Sequence, residues 1–245
     1  MLTKCRSCTS KKVILHKLIK NIPLNIWPQK KIFNNNFKTV KIYICKLCGQ
    51  IQLQKITKKN LTQIYTGNTY NFNNHQQNVN RIQILSKRYD FLNKNLLDIG
   101  GGTNPFLNYI SNANKWVSDF KINNDLKNNN IKFIRGDFIN QRINQKFDYI
   151  FLFHTLEHLE NTYLYLEKVK KLLNDEGRLI IEVPNSEYDL KNTPYYIFFH
   201  MHITVFYKET LINLLQINGF RKEAILNEND VLFLSFKKNY DKTNI

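Results

Sequence analysis

A chain of 245 residues is long enough to bury a substantial core, as one large domain or as one with a small companion. Its 42% hydrophobic and 13% aromatic content suits a globular protein, and no apolar run approaches the ~18 residues of a membrane-spanning helix. The net charge of +17 raises nucleic acid as a partner, but asparagine, lysine and isoleucine abound throughout, the lysines read as scattered, and the charge reads mainly as a drift of composition.

The segment Met1 to Lys12 is polar and carries two cysteines, so no secretory signal is visible and a cytoplasmic location is the expectation. The only four cysteines, Cys5, Cys8, Cys45 and Cys48, form two C-x-x-C pairs, "CRSC" and "CKLCG". In a reducing compartment two such knuckles favour four thiolates around one structural zinc over disulfides. Gly49 suits the second knuckle's turn, and "VKIYI" (40–44) alternates like a strand leading into it. With no open ligand position, the metal would hold a small module together and not catalyse. "NLTQIYTGNTYNFNNHQQN" (60–78) is a polar connector, which sets the expected division at 1–70 and 71–245.

Val79, Ile82, Leu85, Tyr89 and Leu92 recur at helical spacing and predict a helix leading into the second domain. "LLDI" (96–99) is a short buried strand, with Pro105 placed for the first turn of a following helix. "KWVSD" (115–119), "IKFIRGD" (131–137) and the nearly continuous apolar "FDYIFLF" (147–153) are the next strands, the last one covered on both faces. "YLYLEKVKKLL" (163–173) is an amphipathic helix, "GRLIIEVPN" (177–185) a strand stopped by Pro184, and "ETLINLLQINGF" (209–220) a helix ending at Gly219. "KEAILNENDVLFLSFKK" (222–238) closes the chain as two strands around a polar turn. This alternation predicts an α/β domain with a mostly parallel sheet and helices on both faces.

In such a sheet the ligand sits beyond the carboxyl ends of the strands. Only 8 glycines are present, yet Gly100, Gly101 and Gly102 stand together behind Asp98, where a backbone must turn sharply or admit a close ligand. A dinucleotide G-x-G-x-x-G is the weaker match, because Pro105 holds its third glycine position and the acid precedes the turn.

"LLDIGGGTNPF" resembles the first motif of the class I S-adenosylmethionine-dependent methyltransferases, an acid followed by a glycine-rich turn. Asp119 matches the family's ribose-binding acid, and Asp137 in "RGDF" the group beside the adenine, with Phe138 flanking the ring. "FDYIFLFHTLEHL" resembles the fourth-strand motif, which brings His154 near the cofactor, and "LLNDEGRLIIEVPN" the passage into the fifth strand. The resemblance covers residues 80–240 and implies a Rossmann-like seven-stranded sheet and S-adenosylmethionine as cofactor. "HTLEH" also spells an inverted zinc-peptidase pattern, but its first histidine directly follows a buried strand and not a helical turn.

The aromatic run "YYIFFHMHITVF" (195–206) falls between the fifth strand and the next helix, where the family places substrate-facing insertions. There His202 is similar to the histidine base of sugar C-methyltransferases, although Met201 stands where their glutamate partner would be. His158 and Glu157 are the second candidates for the proton-transfer role. "CRSC", "NIPLNIW" and "KIYICKLCGQIQL" resemble the zinc-binding domain of the same group. The implied substrate is a sugar carried on a nucleotide, methylated at carbon or oxygen. The rivals are an RNA methyltransferase whose zinc module grips nucleic acid, and a binding protein that keeps the fold without catalysis.

Overall fold

The computed structural model describes residues 2–23, 37–54, 74–102, 104–120, 130–193, 196–198 and 202–240. The expected domain boundary at 70 and 71 lies outside them, as do residues 60–73 of the expected connector.

Strands β1 (Val13–Pro23), β2 (Phe37–Cys45) and β3 (Ile51–Leu53) form an antiparallel meander, with Val13 paired to Cys45 and Ile44 to Ile51. Helix α1 (His75–Leu85) leads into the second unit. Its buried positions are Asn78, Arg81 and Leu85, a stripe at i, i+3 and i+7 that includes two polar side chains. The expected apolar stripe continued to Tyr89 and Leu92, but the helix stops before both.

The large sheet then follows as β4 (Asn95–Ile99), β5 (Asn114–Asp119), β6 (Ile131–Arg135), β7 (Phe147–Phe153) and β8 (Leu173–Pro184). Two-residue β9 (Thr204–Val205), then β10 (Phe220–Asn227) and β11 (Val231–Lys238) complete the strands of the described residues. The seven-stranded sheet runs β10-β11-β8-β7-β4-β5-β6. β4 to β8 are parallel, while β11 lies antiparallel to both β8 and β10.

Period-2 alternation explains why the central runs 149–153 and 179–181 are apolar at successive positions, since alternate side chains enter two cores. On one face Ile150, Leu152, Leu179, Ile181, Leu232 and Leu234 join a core with residues of helices α2 (Thr162–Leu172) and α4 (Lys208–Ile217). On the other, Tyr149, Phe151, Phe153, Ile180 and Phe233 pack with Leu85, Phe91 and Phe106. The second face is an aromatic ladder, with Phe91 and Tyr149 centroids 4.9 Å apart and Phe106 and Phe151 5.1 Å apart, mostly edge-on or tilted as ring quadrupoles prefer.

Where a helix was expected after β4, the chain makes only a 3₁₀ turn, Phe106–Tyr109. Pro105 caps it in an extended conformation, and Asn112 enters the left-handed region (φ 53°) before β5 begins. Short helix α3 (Ser186–Asn192) follows Pro184, its cap Asn185 accepting a hydrogen bond from the Glu187 amide at 3.1 Å.

The two sheets are stitched together by β9, which leaves the second unit and pairs antiparallel with β3. Arg6, inside the first knuckle, donates through Nη1 to the carbonyls of Leu53 (3.0 Å) and Ile203 (2.9 Å). Gln50 Nε2 donates to the Val205 carbonyl at 2.7 Å, and Ile22, Val40, Leu53, Ile197 and Val205 share one apolar cluster. The module is thus hydrogen-bonded to the segment that carries His202.

Candidate functional site

The glycine turn sits at the carboxyl end of β4, and each glycine has its own reason. A side chain on Gly100 (φ 79°) would strike Thr155 Oγ1 at 2.4 Å, and one on Gly101 would strike Asp98 Oδ2 at 2.7 Å and Pro105 Cβ at 3.0 Å. The collisions at these two positions are with the protein itself. Gly102 differs: at φ 64° its missing side chain would point into open space, with nothing within 4 Å.

Asp98 is buried beneath the turn and accepts a hydrogen bond from the Phe106 amide at 3.1 Å. Its Oδ1 has no hydrogen-bond partner among the described residues, and burial pushes its pKa up to about 7. Asp119, at the end of β5, accepts from the Gly102 amide at 2.9 Å, joining the second strand's acid to the open glycine. Asp137, past β6, accepts from Tyr165 Oη at 2.7 Å and from the Ile139 amide at 3.2 Å. Phe138 is buried in the main core, with Lys168 Nζ 4.7 Å from its ring centre. The three strand ends therefore bring Asp98, the glycines, Asp119 and Asp137 to one edge of the sheet.

The end of β7 holds a second constellation. His154 takes a left-handed backbone (φ 47°), its amide held by the Glu182 carbonyl at 2.8 Å. Its ring is wedged between two carboxylates, with Nδ1 3.4 Å from Glu157 Oε1 and Nε2 3.0 Å from Glu182 Oε1. Burial opposes the charged ring, but Glu157 and Glu182 outweigh it and push His154 up to about 9. Burial likewise opposes charge on both carboxylates. His158 and His154 nevertheless hold Glu157 at about 2, and His154 and Arg81 hold Glu182 at about 2.

Sequence reading missed the members of this network that come from far away. Arg81 Nε reaches both oxygens of Glu182, at 3.1 and 3.2 Å, and its Nη1 donates to Asn78 Oδ1 at 2.7 Å. The signal was present in "NVNR": Asn78 and Arg81 sit three apart on the helical face that ends at Leu85.

His202 is buried, 5.0 Å from the His158 ring and 5.2 Å from the Tyr196 ring between centroids. Ligand atoms of Glu157, His158 and His202 lie within 4.8 Å of one another, a set able to pass a proton or hold a cation. Neither oxygen of Glu157 accepts a hydrogen bond among the described residues, though the side chain is fully buried. The Glu157 carbonyl accepts from the Ile203 amide at 2.9 Å, so the two segments are pinned together. With Ser186, Asp189 and Phe206, Glu157 and His202 line a small cleft. Glu157 thus stands by His202 from another element, where Met201 denied it a neighbour in sequence. His200 and Met201 lie outside the described residues.

The ionic cluster gives a pH prediction. His154 is raised from 6.5 to about 9, so its contribution to stability is complete below 6.5 and is lost as pH climbs through about 9. Glu157 and Glu182 are lowered from 4.5 to about 2, so theirs is complete above 4.5 and is lost as pH falls through about 2. His154→Gln is expected to flatten the decline in urea-unfolding free energy above pH 6.5; an unchanged alkaline slope would show that His154 does not carry it.

The four cysteines converge as expected. Cys5 and Cys48 Sγ are 3.7 Å apart, Cys8 and Cys45 Sγ are 3.6 Å apart, and all four lie within 4.8 Å of one another. Disulfides need about 2.05 Å. Four sulfurs at about 2.3 Å from one tetrahedral ion stand about 3.8 Å apart, which these separations match. The Ser7 amide (3.4 Å) and Gln52 Nε2 (3.3 Å) point at Cys5 Sγ, as donors to a thiolate would. The cluster is able to chelate a metal.

A family model described as a methyltransferase domain matches residues 70–225. No curated protein matches the chain. Among solved structures, the pyocyanin biosynthetic protein PhzM matches at 16% identity and a TM-score of 0.51, covering 62% of this chain and 52% of that one. The mitomycin 7-O-methyltransferase MmcR matches at 14% identity and a TM-score of 0.51, covering 66% and 54%. The PH0226 protein of Pyrococcus horikoshii matches at 17% identity and a TM-score of 0.54, covering 72% and 99%. The chain spans about half the length of the first two. These likenesses establish the class I methyltransferase fold of the seven-stranded sheet. Among the described residues no helix is long and apolar enough to cross a membrane.

Proposed function

The chain belongs to the methyltransferase-domain family, and on that premise we propose that it transfers the methyl group of S-adenosylmethionine to a hydroxyl or an acidic carbon of a sugar, carried on a nucleotide. The observation that carries this reading is the buried Glu157 carboxylate, set among His154, His158 and His202 at the carboxyl end of β7.

Gly102 is the open point of the turn, and Asp98, Gly100 and Gly101 fix its path. Asp119 offers a carboxylate for ribose hydroxyls, which can accept two hydrogen bonds at once. Asp137 and His154 complete the edge; Phe138, buried in the core, supports it from behind. The cofactor supplies an electrophilic methyl on a sulfonium, so the protein's task is positioning and removal of a proton. His202 takes the acceptor's proton, and Glu157 stabilises the imidazolium that results. His158 borders the same carboxylate and holds it in place. The cysteine cluster binds one structural zinc and fixes the module that carries Arg6.

Calorimetry with S-adenosylmethionine and with NAD tests the assignment. Gly102→Val is expected to abolish cofactor binding, because it fills the open point and strains a left-handed residue. Asp119→Ala is expected to weaken binding by about 1–3 kcal/mol through a lost, half-buried hydrogen-bond partner. Preference for NAD would overturn the reading.

A further inference from the structure

The charge of this chain is not spread as its lysines suggest. The first acidic residue is Asp90. Residues 1–89 carry 17 lysines and arginines and no aspartate or glutamate, whereas residues 90–245 carry 19 of each sign. The whole net charge of +17 therefore belongs to the first 89 residues, and the remainder is neutral. This corrects the reading of the charge as compositional drift. The second part of the chain shares the bias toward asparagine, lysine and isoleucine, yet is balanced, and so serves as an internal control.

The described part of the module shows where this charge lies. Lys11, Lys12, Lys17 and Lys20 are exposed along β1 and the turn before it, and Lys46 is exposed on the second knuckle. Four thiolates on one divalent ion leave only two formal negative charges, far from neutralising them. We infer that the N-terminal module is a binding surface for a nucleic acid strand, held through its phosphates.

One feature favours that partner. A protein interface is matched charge by charge and carries both signs; a segment with no acid at all suits a ligand that is negative along its length. The module also exposes Ile14, Leu15, Leu18 and Leu47, so an acidic membrane surface is the rival that the vesicle comparison below decides. β9 joins the same sheet at the edge opposite β1, which makes the module and the His202 segment one structure. The inference concerns binding alone and goes beyond the transfer reading, since it holds whatever the acceptor is.

The test uses the full-length, metal-loaded protein and fluorescence anisotropy with labelled single-stranded RNA or DNA of about 20 nucleotides. Two fourfold variants lower the net charge equally: K11Q/K12Q/K17Q/K20Q in the module, and K94Q/K171Q/K191Q/K222Q in the neutral part. Expected is binding whose log affinity falls with log salt by about 0.7 per phosphate contact. The module variant should lose about 10-fold or more in affinity, with a shallower salt slope, while the other variant loses less than about 3-fold. Unchanged metal content and melting temperature in both variants show that folding is not the cause. Equal losses in the two variants would reduce the effect to net charge and overturn the proposal. So would stronger binding to phosphatidylserine vesicles or to polyglutamate, or no binding at low salt.

Discussion

Cys45→Ser is expected to release the bound metal and unfold the N-terminal sheet. Cys45 is fully buried and ends β2, so its loss removes one thiolate and the anchor of the β1–β2 register together. Structural zinc supplies about 10–16 kcal/mol of apparent binding energy in small zinc modules, more than a three-stranded meander can replace. Metal analysis of the parent protein should find about one zinc per chain, and hydrogen exchange should show β1–β3 losing protection in the variant while β7 keeps it. Because β3 pairs with β9, residues 202–207 should lose protection too. A metal-free protein with a fully protected first sheet would refute the assignment.

The second large effect concerns turnover. His202→Gln keeps size and polarity but cannot carry a proton, so methyl transfer should fall by about 100-fold or more with cofactor affinity unchanged. Glu157→Gln should act in the same direction, because it removes the charge that favours the imidazolium. Normal turnover by His202→Gln would remove His202 from the mechanism. A parallel loss of cofactor binding would assign it a structural role instead.

Much of this architecture can be read from the chain because each strand must satisfy two faces. From Tyr149 on, "FDYIFLF" is apolar at successive positions: Tyr149, Phe151 and Phe153 enter one core and Ile150 and Leu152 the other, which Phe147 joins from before a register shift. The cysteine cluster is equally legible, since two short spacings constrain four ligands. What stays hidden is whatever long-range pairing creates. Glu157 and His202 are 45 positions apart and meet because the Ile203 amide binds the Glu157 carbonyl while β9 is drawn to β3. Arg81 and Glu182 are farther apart still; an isolated arginine in a helix reads as solvent-facing, although here it is buried against its carboxylate. The glycine turn is legible as a turn, but which glycine faces open space depends on Thr155, Asp98 and Pro105.

The pairing of Ile51 with Val205 also sets an order of events on the ribosome. The first sheet's fourth strand is synthesised roughly 150 residues after its third, which at about 5–20 residues per second is a delay of some 8–30 s. Through that interval the nascent module carries an open strand edge and a partly uncovered apolar cluster of Ile22, Val40 and Leu53. Early capture of the proposed zinc by the four thiolates, all translated by residue 48, would give the module a fixed shape while it waits. Cells starved of zinc during synthesis should therefore accumulate aggregated chains, whereas stripping the metal from the finished protein should leave the large sheet soluble and folded.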